Sequence, residues 1–313
     1  STRGLPIRFE EVSRVQKPSR KAPPEDWQAY RDARKQHNLS QRFVETAGQL
    51  RRELDQSGGE KKTLVLAVDG SFCNRTCLRA PRDRTELVAR ARKDAVLCWR
   101  APSGSRRFYS AEKFTPEQVR QDEAQAWKQT KVFYGGKWRK VRYKEVAGVY
   151  WQGGAGRCPL RLLVVAPTPY RKRKSSKLYY RKPAFLLTTD QQDSAKQLLQ
   201  IYFDRWQIEV NHRDEKDTLG VGQAQLWNVK AVPKQPVLVV AAYSALLLAS
   251  LIAFGVERGA AYAALPKWRK RAYRPSCLDL ITLLRKEMAE HPELIKNLNV
   301  QITEKQFVRA AAA

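Results

Sequence analysis

The chain has 313 residues, 42% of them hydrophobic, with eight Trp, which excludes a disordered tail and is enough for one large domain or two small ones. Lys and Arg number 59 against 31 Asp and Glu, giving a net charge of +28 and an isoelectric point near 10.2. The excess is spread along the whole chain, so it belongs to folded surface and calls for a polyanion; nucleic acid is the commonest, with membrane surfaces and acidic proteins as the alternatives.

Leu5 to Glu10, LPIRFE, alternates like the end of a strand, and the basic, Pro-rich VSRVQKPSRKAPP after it reads as a linker or a phosphate-contacting arm. Glu25 to Gln56 has helical periodicity that Gly58 and Gly59 end. Lys62 to Asp69, KTLVLAVD, is a continuous apolar run and predicts a buried, central strand. Asp69 then stands at the carboxyl end of a buried strand, where open α/β sheets place ligands; the plainer alternative is a turn Asp before Gly70. Glu86 to Arg92, ELVARAR, reads as the next strand.

From Ala95 to Tyr180 short strand-like runs interleave Trp, Tyr and Phe with Lys and Arg, a composition suited to backbone contact and base stacking, or to a sheet with one polar face. Tyr170 to Lys182, with Arg171, Lys172, Arg173 and Lys174, predicts an exposed basic hairpin that touches DNA or is merely solvated. PAFLLTTD, Pro183 to Asp190, returns to the core, and Asp190 is expected to cap the next helix, with Asp193 as the alternative cap. Cys73, Cys77, Cys98, Cys158 and Cys277 are odd in number and irregular in spacing, which suggests reduced core thiols in a cytosolic protein. His37, His212 and His291 show no ligand pattern, and no signal-peptide core opens the chain.

Ala195 to Gly220 predicts one helix. Tyr202, Arg205, Glu209 and Lys216 fall within roughly 60° of one another on its surface. Leu199, Trp206 and Val210 flank that stripe on one side and Ile201 and Ile208 on the other, so its sides are expected to be buried. Glu209 there could ligate a metal while Arg205 and Lys216 contact a phosphate, or the stripe is a surface of i,i+4 ion pairs. Pro236 to Gly255 is uncharged and nearly long enough to span a bilayer; its Ala, Ser and Tyr243 favour a core helix and no membrane partner. A basic stretch, LPKWRKRAYRP, and an amphipathic helix, Leu278 to Met288, follow.

The spacing Tyr-x2-Arg-x3-Glu-x6-Lys, within YFDRWQIEVNHRDEK, resembles the signature around the third acidic residue of bacterial insertion-sequence transposases of the DDE type. AVDGSF followed by ELVARARKDA is similar to the second-acid region of the same group, with Phe72 where the family usually has Tyr. The resemblance implies an α/β, ribonuclease-H-like core interrupted by a β-rich insertion, with a helical C-terminal region, that cleaves and transfers the ends of an insertion sequence by cut and paste. It implies Asp69 and Glu209 as catalytic metal ligands for two Mg²⁺ or Mn²⁺ ions, Tyr202, Arg205 and Lys216 on the transposon end, and a homodimer holding double-stranded DNA in the bacterial cytoplasm. The ions would activate the attacking oxygen and stabilise the leaving one.

On this scheme residues 1–24 are a strand remnant and linker, and 25–94 the first part of the core. Residues 95–182 are the insertion, 183–225 the second part of the core, and 226–313 the helical region. Only LPIRFE precedes the first helix, so the first acid and about two strands are expected to lie outside this chain, which alone would then be inactive. A second register makes Asp69 the first acid and Asp94 or Asp190 the second. Catalytically silent, transposase-derived DNA binding and RNA association are the competing functions.

Overall fold

The computed structural model describes residues 4–9, 12, 15–173, 175–265 and 274–293. They form two units, Val12–Trp206, a mixed α/β sheet unit, and Ser1–Glu11 with Gln207–Ala313, a helical unit.

In the sheet unit the longest apolar runs become the middle of a six-stranded sheet of order β1-β2-β10-β7-β6-β5. The central strands β7 (Leu160–Val165) and β10 (Ala184–Thr188) are buried along almost their whole length. Side chains alternate between two cores, as the two-residue period of a strand requires. Leu87, Ala89, Leu162, Val164 and Leu187 face one core, shared with Leu78 and Phe43. Val88, Leu163, Val165 and Leu186 face the other, with Leu198 and Leu199. Phe43 belongs to α2 (Leu39–Gln56), Leu78 to α3 (Arg75–Arg79), and Leu198 and Leu199 to α5 (Ala195–Asp204), so helices cover both faces. Because α5 contacts both edge strands, β1 (Leu64–Val68) and β5 (Lys128–Tyr134), the sheet is strongly curled.

Strand β2 (Thr85–Arg90) runs parallel to β1, while every other pairing in this sheet is antiparallel. The strands β5, β6 (Lys137–Val149) and β7, all from the stretch 95–182, continue the same sheet as β1, β2 and β10. A register shift between Val146 and Val149, with Gly148 at φ +67°, bends the end of β6. Tyr150 then bridges Cys98 of the β3–β4 hairpin (Leu97–Arg100 and Tyr109–Phe114). α4 (Pro116–Gln121) is fixed by a capping box between Thr115 and Gln118. Residues 170–182 do form an exposed basic hairpin, whose short strands are β8 (Pro169–Tyr170) and β9 (Tyr179–Tyr180).

Several expectations are corrected. KTLVLAVD does form a strand, but an edge one and not a central one; its faces are covered while its outer side pairs with no strand among the described residues. Glu25 to Gln56 is two helices, α1 (Pro24–Gln36) and α2, because Asn38 turns its side chain to accept from Ser40 N at 2.9 Å and starts a new helix. Leu5–Phe9 is not a strand; Glu10 lies outside the described residues. In the helical unit this extended segment is held by side chains, Asn211 Nδ2 donating to Gly4 O at 3.1 Å and Ser244 Oγ to Pro6 O. A Cβ on Gly4 would come within 2.9 Å of Gln207 Cβ, so only glycine permits that approach.

The predicted helix over 195–220 is divided into α5 and α6 (Gln207–Asp217), with Arg205 and Trp206 between them. Trp206 and Ile208, expected to be buried, are 51% and 49% exposed. The apolar helix α7 (Lys234–Phe254) is long and apolar enough to cross a membrane by length and composition. Where a core helix was expected, it buries one stripe only, Val240, Tyr243 and Leu247, against α8 (Cys277–Glu290) and its Cys277, Leu280 and Leu283. Much of the rest of the helix stays exposed, including Leu238 and Ile252. Most of the basic stretch 265–275 lies outside the described residues.

All five cysteines are free thiols, three of them buried. Burial, then the neighbouring Cys77, pushes the Cys73 thiol up to about 12, and burial also raises Cys77 and Cys158. At pH 8 a thiol at about 12 is ionised in roughly one molecule in ten thousand. Native protein at that pH is therefore expected to label slowly with Ellman's reagent at Cys73, and promptly in guanidinium. Prompt labelling of native Cys73, read by peptide mapping, would show that the thiol is not held as described.

Candidate functional site

Asp69 follows β1 directly and caps a single 3-10 turn, Gly70–Phe72, its Oδ1 accepting from Ser71 N at 2.8 Å. The carboxylate is exposed. Because Val68 lies opposite Ala89 in the parallel pair, Asp69 and the exposed Arg90 end neighbouring strands side by side. A Cβ on Gly70 would stand 3.5 Å from Arg90 O, so the turn hugs the end of β2. A carboxylate and a guanidinium thus share the carboxyl edge of a parallel strand pair, the edge at which α/β sheets place ligands.

Of the other acids of the second register, the sheet separates Asp190 from Asp69 and leaves Asp94 at the Asp69 end. β10 runs antiparallel to β2, with Thr188 opposite Val88 and Leu186 opposite Arg90, so Asp190 sits at the end of the sheet away from Asp69. Asp190 is buried and accepts from Gln192 N and Asp193 N at 2.7 and 2.8 Å, with the Arg161 guanidinium 3.9 Å away. It closes the turn before α5 and does not cap the helix itself. That role falls to Ser194, in a capping box with Gln197, because Ser194 is the residue one step before the first helical position. Burial, then the charge of Asp190, raises the Asp193 carboxyl above its ordinary value. Asp94 does lie at the Asp69 end, four residues past β2, where hydrogen bonds from Arg92 at 2.8 and 3.0 Å hold its carboxyl below the usual range.

Tyr202 and Arg205 belong to the sheet unit, Glu209 and Lys216 to the helical unit, since the chain passes from one to the other at Gln207. Tyr202 packs beside Phe203, which stacks on Tyr134 at 4.6 Å with the Arg139 guanidinium over the same tyrosine at 4.9 Å. Gln200 brackets the edge strand β5, its amide accepting from Phe133 N at 2.8 Å and donating to Phe133 O at 3.0 Å. Arg205 ends α5. Glu209 is half-buried in the first turn of α6, and Lys216 is exposed in its last turn. The buried polar groups of α6 are others, Asn211 and Glu215: Asn211 and the partly buried Asp214 meet Tyr243 Oη at 3.4 and 3.2 Å, and Glu215 is paired with His212 at 3.1 Å.

In the β8–β9 hairpin Arg171, Lys172 and Arg173 are exposed, Lys172 and Lys177 lie 5.3 and 5.4 Å from the Tyr179 ring, and Lys174 is outside the described residues. Sequence reading missed a second basic cluster, Arg100, Arg106, Arg107 and Arg157, around Phe108. The doublet SGSRRF was its only visible trace, because Arg157 joins it from another loop.

No protein-family model and no curated protein matches this chain.

Proposed function

We propose that this chain is a DNA-binding protein of the DDE transposase type, with Asp69 and Glu209 as two of its acids. The observation that supports this most is the place of Asp69: an exposed carboxylate at the carboxyl end of a parallel strand pair, beside Arg90, in a chain of net charge +28. The order helix, strand ending in Asp, parallel strand agrees with the ribonuclease-H-like core that this assignment requires. Tyr202, Arg205 and Lys216 would position a DNA end, and the β8–β9 hairpin would meet its backbone.

The acids at hand do not by themselves fit a two-ion site. Among the described residues no three His, Cys, Asp or Glu side chains are grouped to hold a metal ion, and Asp69 commits one oxygen to Ser71 N. Two divalent ions a few ångströms apart need more carboxylate oxygens than two acids provide. The purified chain is therefore expected to bind supercoiled plasmid with Mg²⁺ present and leave it uncut. Nicking that disappears in Asp69→Asn would instead make Asp69 the first acid. In any form of the protein that cleaves, Glu209→Gln is expected to abolish cleavage while DNA affinity stays near the parent's. Unchanged cleavage by that variant would sink the assignment.

A further inference from the structure

The loop from Ala101 to Phe108 is closed at its base by Ala101 N donating to Phe108 O at 2.9 Å. It is turned at Gly104, with φ +86°. Ser105 N donates to Pro102 O at 3.1 Å and Arg107 N to Ser105 Oγ at 3.1 Å, so the loop is built rather than loose. Arg100 at the end of β3, Arg106 and Arg107 on this loop and Arg157 on the 151–158 turn surround a hollow of about 550 Å³. The Phe108 ring organises it: the Arg100 guanidinium lies 5.6 Å and the Arg157 guanidinium 5.0 Å from the ring centroid. Tyr109 and Tyr150 contact the same ring edge-on and fix it.

Stacking on a ring uses none of an arginine's five N–H donors. None of these four side chains forms an ion pair or hydrogen bond among the described residues. Arg100 and Arg157 share one ring, so their guanidinium carbons are at most about 11 Å apart, against a Debye length of about 8 Å at physiological salt, which screens part of their repulsion. Like charges held this close without a carboxylate repel one another, and an anion in the hollow removes that cost.

The shape points to a chain of anions and not to a single one. Arg157 also lines an adjoining hollow of about 530 Å³ with Arg79, Arg82 and Tyr109. Arg79 and Arg82 spend donors on the carbonyls of Gln152, Gly154, Cys77 and Leu78, so they add fixed charge along the track. Arginine matches phosphate oxygens two at a time, and a row of arginines matches a phosphodiester backbone.

We propose that Arg100, Arg106, Arg107 and Arg157, gathered on Phe108, form a second duplex-DNA backbone site, separate from the β8–β9 hairpin and indifferent to base sequence. It rests on the DNA-binding assignment above, and the test separates the two. The full chain, Arg106→Gln/Arg107→Gln/Arg157→Gln and Arg171→Gln/Arg173→Gln are titrated against random-sequence duplex DNA over a salt series by fluorescence anisotropy.

The triple variant is expected to give a log–log slope shallower by about two to three, at roughly 0.9 for each phosphate no longer neutralised, and an affinity at least about tenfold weaker on every sequence tried. The hairpin variant is expected to lose its own share independently. A steep parent slope that the triple variant keeps overturns this site and leaves DNA binding standing. A parent slope shallower than about −3 overturns DNA binding itself, and this site with it. Loss confined to single-stranded RNA, with duplex affinity intact, also overturns it. The substituted residues are exposed, so an unchanged melting curve is expected; if the triple variant melts lower, Arg106→Glu alone must still weaken duplex binding.

Discussion

Raising the salt from 50 to 200 mM is expected to weaken the binding of this chain to duplex DNA by at least about sixtyfold, the result of a log–log slope of about −3 or steeper. The origin is counterion release. Each phosphate neutralised by Lys or Arg frees about 0.9 of a condensed cation, so four neutralised phosphates suffice for such a slope. The chain has far more cations than that in surplus, at +28, and they sit on folded surface: Arg171, Lys172 and Arg173 on one hairpin, and the four arginines gathered around Phe108 from two loops. Exposed Trp138, beside Lys137 and Arg139 at the β5–β6 turn, adds a flat apolar face of the kind on which bases stack. Fluorescence anisotropy across a KCl series measures the slope directly. A value shallower than about −3 would mean that few phosphates are touched and that the positive charge serves something else.

Lys144→Met is expected to cost the sheet unit about 3 kcal/mol, lowering its melting temperature by roughly 6–12 °C. Lys144 is among the most buried side chains in the protein, 1% exposed. Its ammonium donates to Val119 O and Arg120 O at 3.0 and 3.1 Å and to Asp122 O, and lies 4.8 Å from the Trp127 ring centroid. Those carbonyls end α4, where a helix has no backbone partners left to give and its dipole favours a cation. Methionine fills the space of the stem but donates nothing, so up to three carbonyls lose their donor at about 1–3 kcal/mol each, part of it recovered by water. Far-UV circular dichroism melts and urea titrations would read the loss. A melting temperature within about 2 °C of the parent's would mean that the carbonyls are satisfied without the lysine.

Lys144 also shows what a sequence conceals. It stands in WRKVRYKEV, where basic and apolar residues alternate and every lysine reads as part of a solvated face. Nothing local says that the end of a short helix will sit over this particular one. Apolar runs were legible: KTLVLAVD, ELVARAR, PLRLLVVAP and PAFLLTTD all become strands, because covering a sheet on both faces demands them. The edge position of β1 was not, since a run of Val and Leu records that the faces of a strand are covered and says nothing about its neighbours. The division at Arg205–Trp206 left no mark either, as no Gly or Pro interrupts YFDRWQIEV. Candidate residues grouped by sequence spacing, such as Tyr202 with Glu209, were visible; a group assembled by one ring from two loops, such as Arg100 with Arg157, was not.

The sheet also dictates an order of assembly. β5, β6 and β7 pair with near neighbours in sequence and can zip together as soon as they are made. β2 can do so on its β1 side only, because its second partner is β10: Ala89 waits for Leu187. A chain emerging from the ribosome N-terminus first can pair β2 with β1, but must keep the other edge of β2 unpaired through all the synthesis between. Closing so long a loop is an entropic cost met before that pairing rewards it, so the docking of β10 is expected to follow the zipping of β5, β6 and β7. Until that strand slots in between β2 and β7, the two halves of the sheet are strangers, and the apolar side of β2 is the surface a chaperone would hold.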